Sequence, residues 1–273
     1  MTEDDFSRQS FLGRDSTSVL AGVRAAIIGL GGGGSHIAAQ LAHIGVGTIA
    51  LIDPDIIEAS NLNRLVGATS ADIVAQKPKV QIAARAISGI RPHTHIKVAQ
   101  KKWQEADLLM RDAHVIFGCL DGYRQRQFLE AAARRFCIPY IDIGMDISEF
   151  DRGCFAIAGQ VIVSHPGKPC MQCLGFLTSE KLKKEEDNYG AAGINPQVVW
   201  TNGTLASLAV GEFMKIITPW GARSSDYVWL ELDGNNQTVS ASRQPSYLQI
   251  PPTCPHHGGR DGLGNPFFDI RKI

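Results

Sequence analysis

The chain has no excess charge of either sign. Its 27 Lys and Arg balance 27 Asp and Glu over 273 residues, so no net positive field draws it to nucleic acid or an anionic membrane. A local basic patch stays open. No run of about 18 or more apolar residues occurs, and Met1 to Ser10 is acidic and polar, with no apolar signal-peptide core. A soluble, cytoplasmic protein is expected, with no membrane partner and no nucleic-acid partner. Cysteine is scarce. Six in a chain this long are too few for a disulfide scaffold, and the close pair Cys170 and Cys173 suggests metal or redox chemistry. No internal repeat and no clear interdomain linker breaks the chain. One domain over 1–273 is expected, with an N-terminal polar arm over 1–22 and a C-terminal tail over 250–273.

The hydrophobic content of 44% suits a globular core of ordinary size. The apolar, partly β-branched run Ala25 to Ile28 reads as a strand, and the glycine cluster Gly29 to Gly34 as a tight turn. Ile37, Ala38, Leu41, Ala42 and Ile44 then recur at helical spacing, and Gly45 stands where a C-terminal capping glycine is favoured. Thr48 to Ile52 reads as a strand buried on both faces, ending in Asp53-Pro54-Asp55. This is one βαβ unit. The alternation continues with helices near Pro78–Ile90, Glu105–Arg111 and Arg124–Phe136, and strands at His95–Ala99, Val115–Phe117 and Tyr140–Ile143. It predicts an α/β, Rossmann-like fold, a mostly parallel sheet with helices on both faces. The second half reads as an antiparallel extension: a strand at Phe155–Ser164, a charged loop over Thr178–Gly193, a long helix at Val198–Ile217 and a last strand at Tyr227–Leu232.

Gly29, Gly31 and Gly34 fit G-x-G-x-x-G between a strand and a helix, with Asp53 about 20 residues on at the end of the next strand. Such glycines let backbone N–H groups approach a phosphate at a helix N-terminus, and Asp53 suits ribose hydroxyls. The fingerprint alone favours a dinucleotide and leaves a purely structural glycine turn open.

The stretch from Asp53 to Arg64, with Ser60-Asn61-Leu62-Asn63-Arg64 in register with the aspartate, is followed by Lys77-Pro78-Lys79-Val80 and by Cys119-Leu120-Asp121. Together with the glycine turn, these residues resemble the ThiF, MoeB and HesA family, relatives of ubiquitin-activating enzymes, from Phe6 to about Gly258. The resemblance implies an ATP-dependent adenylyltransferase. Asp53 would bind ribose; Asn61, Arg64 and Lys79 would contact the triphosphate, and Asp121 would hold Mg²⁺. Gly29, Gly31, Gly34, Asp55 and, less securely than Lys79, Lys77 complete the nucleotide set. Attack of a carboxylate on the α-phosphate gathers negative charge, so positioned cations and a metal-binding carboxylate fit the chemistry. Phe6-Ser7-Arg8-Gln9 resembles the family's aromatic-x-R-Q arm, which implies a homodimer with Arg8 acting in trans; the competing reading is a disordered polar tail. The chain departs from the family at Leu65, where Gln is usual, and at Gly122, where Asn is usual.

The resemblance also bears on the cysteines. Cys170-Met171-Gln172-Cys173 and the distant Cys254-Pro255-His256-His257 match the family's two C-x-x-C pairs, with His257 in the place of the last cysteine. Cys170, Cys173, Cys254 and His257 would then hold a structural Zn²⁺ that staples the tail, with His256 as the alternative to His257. Cys119, Cys137 and Cys154 read as buried and inert. The family's crossover-loop nucleophile has no counterpart, because Leu174 to Pro196 contains no cysteine. The implied activity is adenylation of the C-terminal glycine of a ubiquitin-like or sulfur-carrier protein ending in Gly-Gly, without a thioester on that loop. The alternatives are adenylation in a tRNA modification of the threonylcarbamoyladenosine dehydratase kind, adenylation of a peptide, and an inactive scaffold subunit.

Overall fold

The computed structural model describes residues 3–187, 196–221 and 228–242, with Cys254, His256, Gly264 and Ile270. In chain order, a 3₁₀ segment Glu3–Leu12 and helix α1 (Ser16–Gly22) precede β1 (Arg24–Ile28), α2 (Gly32–Ile44) and β2 (Thr48–Ile52). Then come α3 (Ser70–Val74), α4 (Lys79–Ile90), β3 (His95–Ala99), α5 (Asp107–Arg111), β4 (Val115–Gly118) and α6 (Tyr123–Arg135). The second half holds β5 (Tyr140–Asp151), β6 (Cys154–Ser164), α7 (Ser179–Asp187), α8 (Val199–Ile217), β7 (Val228–Asp233) and β8 (Thr238–Ala241).

The strands form one eight-stranded sheet in the order β3-β2-β1-β4-β5-β6-β7-β8. The first five are parallel and the last three run antiparallel. β1 and β2 are apolar at nearly every position because both sheet faces are covered. Ala25, Ile27, Ile49 and Leu51 pack into the core shared with α2, α4 and α8. Their alternates Ala26, Ile28, Ala50 and Ile52 pack into the core shared with α5 and α6. α2 buries Ile37, Ala38, Leu41 and Ala42, each large aliphatic side chain contributing about 1.5–3 kcal/mol. It stops where expected, at Gly45 in the left-handed region with φ 90°.

Five expectations change. The N-terminal arm is ordered rather than merely polar: Phe6, Leu12 and Leu20 are buried, and the Arg91 guanidinium lies 4.5 Å over the Phe6 ring. β5 runs eight residues beyond the predicted Ile143, since β6 pairs with it along its whole length as a long hairpin. Part of the charged loop is α7: Glu185 accepts the Arg124 N–H at 2.9 Å, Glu186 pairs with Arg124, and Lys181 Nζ lies 4.8 Å over the Phe176 ring. β7 is not the last strand, because a tight turn through Gln237 (φ 54°) returns the chain as β8. Finally, Cys137 and Cys154 are exposed rather than buried: one follows α6 and the other starts β6 beyond the covered part of the sheet. No described helix is long and apolar enough to cross a membrane.

Candidate functional site

In a strand order that reverses between β1 and β4, a crevice opens outside the carboxyl ends of those strands, which is where ligands bind in such sheets. A cavity of about 340 Å³ lies there, at the lower end of the size range of small-molecule sites. β1 supplies the glycine turn, β2 supplies Asp53 and Asp55, and the segment after β4 supplies Cys119, Leu120 and Asp121.

The glycines divide the work. Gly29 has φ +87°, and a Cβ on it would lie 2.5 Å from the Cys119 carbonyl oxygen, so β1 and β4 can close only around a glycine. Gly34 does not line the cavity; a Cβ there would strike the Gly29 carbonyl, so this position sets the approach of α2 to β1. Gly31 is different. It caps α2 without a side-chain hydrogen bond, and a Cβ on it would meet nothing within 4 Å. The helix N-terminus thus presents its N–H groups and positive dipole end to the cavity.

Asp53 is 5% exposed. One oxygen accepts the Leu30 N–H at 2.6 Å and the other the Asp55 N–H at 2.8 Å, tying the glycine turn to the end of β2. Burial pushes its carboxyl up from the ordinary value, against the pull of these bonds and of Lys79. Asn61 is buried in a short 3₁₀ turn, where its side-chain oxygen accepts the Glu58 N–H at 3.2 Å. That turn carries Arg64, whose Nη1 donates to the Ser60 carbonyl at 2.6 Å. Lys79 starts α4 and reaches Asp55 at 2.7 Å. Asp121 accepts from Gln197 at 3.1 Å. Asp53, Asp55, Asn61, Arg64, Lys79 and Asp121 all line the one cavity with Gly29 and Gly31.

Lys77 and Arg8 do not. Lys77 lies 3.5 Å from Asp72, a buried carboxylate that Arg85 grips through both oxygens at 2.6 and 2.7 Å. It belongs to the cap of α3. Arg8 is exposed on the N-terminal 3₁₀ segment and does not line this cavity.

Other residues reach the cavity without a signal in the sequence. Arg126 on α6 is buried, its charge met by Asp142 at 2.5 Å, whose second oxygen accepts from Tyr140 at 2.6 Å. Asn202 on α8 and Lys102, Trp103 and Gln104 after β3 also line it; Trp103 Nε1 donates to Gln125 at 3.1 Å. Cys119 borders the cavity, and burial pushes its thiol far up, which keeps it neutral and a poor nucleophile.

The cysteines gather elsewhere. Cys170, Cys173 and Cys254 are buried with Sγ atoms 3.5, 3.6 and 3.3 Å apart, separations suited to three corners of a tetrahedral metal site and too long for a disulfide. α6 holds this loop: Glu130 accepts the Met171 N–H at 2.9 Å, and Arg134 donates to the His165 and Lys168 carbonyls at 2.8 and 2.7 Å. His257, the predicted fourth ligand, lies outside the described residues; His256 is buried.

The chain is 30% identical over 232 residues to the sulfur carrier protein ThiS adenylyltransferase of Escherichia coli K12, covering 81% of this chain and 86% of that one. It is 27% identical over 215 residues to the molybdopterin-synthase adenylyltransferase of the same organism, covering 77% and 79%. The fold superposes on E. coli MccB, solved with MccA-N7isoASN, at a TM-score of 0.76 and 19% identity, over 95% of this chain and 75% of that one. A switch-point cavity on such a sheet, in a chain with these relatives, defines the class as an ATP-using adenylyltransferase. The ThiF family model matches residues 6–249, and the chain belongs to that family.

Proposed function

We propose that ATP binds in the switch-point cavity and that the protein adenylates the C-terminal glycine carboxylate of a ubiquitin-like sulfur-carrier protein ending in Gly-Gly. The observation that carries this reading is the convergence of Arg64, Lys79 and Asp121, from three separate segments, around the uncapped N-terminus of α2. The name of the sulfur carrier protein ThiS adenylyltransferase, one of its relatives, supports the same partner class.

The phosphates lie on the α2 N-terminus at Gly31, with the ribose at Asp53 beside Asp55. A carboxylate oxygen of the partner attacks the α-phosphorus; an acyl–O–P bond forms, the bond to the β-phosphate oxygen breaks, and pyrophosphate leaves. Arg64 and Lys79, with Asn61, stabilise the charge that builds there, each such group contributing on the order of 10²–10³ in rate. Lys79 is free to do so because its pairing with the largely exposed Asp55 is worth only about 0–1 kcal/mol. Asp121 would hold Mg²⁺, which supplies Lewis-acid neutralisation of the phosphates. Arg8, exposed and away from its own cavity, acts on the partner subunit's cavity in a homodimer. The chain works as one adenylation domain, its tail stapled by Zn²⁺ on Cys170, Cys173, Cys254 and a histidine. With no cysteine between Leu174 and Pro196 and Cys119 held neutral, the acyl-adenylate passes to a separate acceptor.

Pyrophosphate exchange into ATP tests the reading. It is expected to require Mg²⁺ and a Gly-Gly-ending carrier. Exchange driven by tRNA and not by the carrier would overturn the partner.

A further inference from the structure

The phosphates and ribose of a nucleotide account for only part of the switch-point cavity. α2 and α4 pack on one face of the sheet, and α5 and α6 on the other. On the α5–α6 side the cavity is lined by Trp103 and Gln104, which follow β3, and by Gln125 in the first turn of α6. Trp103 is buried in the core of that face. Its Nε1 donates to Gln125 Oε1 at 3.1 Å, and Gln104 Nε2 donates to the same oxygen at 3.3 Å.

These bonds have a direction. An indole N–H can only donate, so it fixes which end of the Gln125 amide faces it, and the shared oxygen then fixes the Gln104 amide. Left over are the carbonyl oxygen of Gln104 and the NH₂ group of Gln125, an acceptor and a donor at the cavity wall with no further partner among the described residues. Adenine matches that pair, because its 6-amino group donates and the ring nitrogens beside it accept. A purine with an oxygen at position 6 presents an acceptor in place of the amine, and the proton on its N1 reverses the second contact.

We infer that Gln104 and Gln125 select adenine: Gln104 Oε1 accepts from the 6-amino group and Gln125 Nε2 donates to the ring nitrogen N1. Trp103 is the positioning residue, whose N–H holds both amides in that polarity. This rests on the placement of ATP in the cavity. A ribose at Asp53 with its phosphates toward α2 turns its base to the α5–α6 side, where these side chains stand.

The test is calorimetric titration of the purified full chain, in the presence of Mg²⁺, with ATP and with inosine triphosphate. The inosine nucleotide carries an oxygen at position 6 and a proton on N1, without the extra 2-amino group of guanine. The wild type is expected to bind ATP about 10–100-fold more tightly, the worth of two reversed hydrogen bonds at a partly open wall. Gln125→Glu keeps an oxygen for Trp103 and Gln104 but offers an acceptor where the donor stood, so the preference is expected to fall to about one or below. Its added charge repels both triphosphates alike, which makes the ratio of the two affinities the readout. Gln104→Leu is expected to lower the ratio about 10-fold. Trp103→Phe, which keeps an aromatic ring in the core and removes the N–H, is expected to lower the ratio with little change in affinity for inosine triphosphate. An unchanged ratio in Gln125→Glu or in Gln104→Leu, or a wild type that binds the two nucleotides equally, overturns the inference and leaves ATP binding standing. A wild type that binds neither overturns both.

Discussion

The switch-point cavity and the cysteine cluster both lean on α6, yet they are built in opposite ways. The cavity takes its groups from the ends of parallel strands and from the first turns of helices, elements fixed by two cores that sandwich the sheet. The cluster takes its groups from the loop after β6, held to α6 by Glu130 and Arg134, and from Cys254, far along the chain. Strand ends give the geometric precision that transition-state stabilisation needs. Loops need an added tie, and three converging thiols offer one.

The comparison predicts different failures. Lys79→Ala should lower carrier-dependent adenylation by about 10²–10³ with little change in melting temperature. Lys77→Ala, which touches only the α3 cap, should leave the rate near wild type. An equal loss in both would break the assignment of Lys79 to the cavity. At the cluster the sign reverses: Cys254→Ser should cost several degrees of melting temperature, at roughly 2–4 °C per kcal/mol for a chain of this size class, and leave nucleotide affinity much less affected.

Within the cavity, the glycine turn makes a finer contrast. Gly34→Ala forces a methyl group against the Gly29 carbonyl and should cost about 1–3 kcal/mol of stability. Gly31→Ala meets open space, at φ −74° and ψ −147°, beyond the edge of the extended region that a side chain favours. It should cost less stability than Gly34→Ala while weakening ATP binding, and thermal denaturation with and without ATP separates the two.

A last contrast lies outside both sites. Asp72 accepts from Arg85, first among the causes that hold its carboxyl well below the ordinary range. Its folded pKa is depressed, so the stability it contributes is present above the unfolded value of about 3.9 and is lost as pH falls below it. Asp72→Asn should cost about 1–2 kcal/mol near neutrality, as loss of a cap does, and flatten the acid limb of the stability profile.

Much of the parallel half was legible in the sequence because its signals are local. Thr48–Ile52 and His95–Ala99 were placed to the residue, and α2, α4 and α6 to within three residues at each end. Asp53, Asn61, Arg64, Lys79 and Asp121 were nameable because they fall in contiguous runs. What was missed depends on tertiary placement. Arg126 sits on a helix rich in charge, where nothing distinguishes the one arginine that turns inward to Asp142. Asn202 stands 169 positions beyond Gly33 and reaches Gly32 and Gly33 only because α8 packs on α2. α7 reads as a solvated charged loop until its acidic residues meet Arg124 at the start of α6. The family resemblance named Cys170, Cys173 and Cys254 together and the fold gathers their sulfurs, but Glu130 carries no motif and becomes visible only as a buried carboxylate beside Cys170.

The most direct test of the central claim is pyrophosphate exchange into ATP with a Gly-Gly-ending sulfur carrier, measured for the wild type and for Asp121→Ala. The account predicts exchange that requires the carrier's free C-terminal carboxylate and is abolished in Asp121→Ala. Exchange that survives the substitution, or that proceeds unchanged with an amidated carrier, would contradict it.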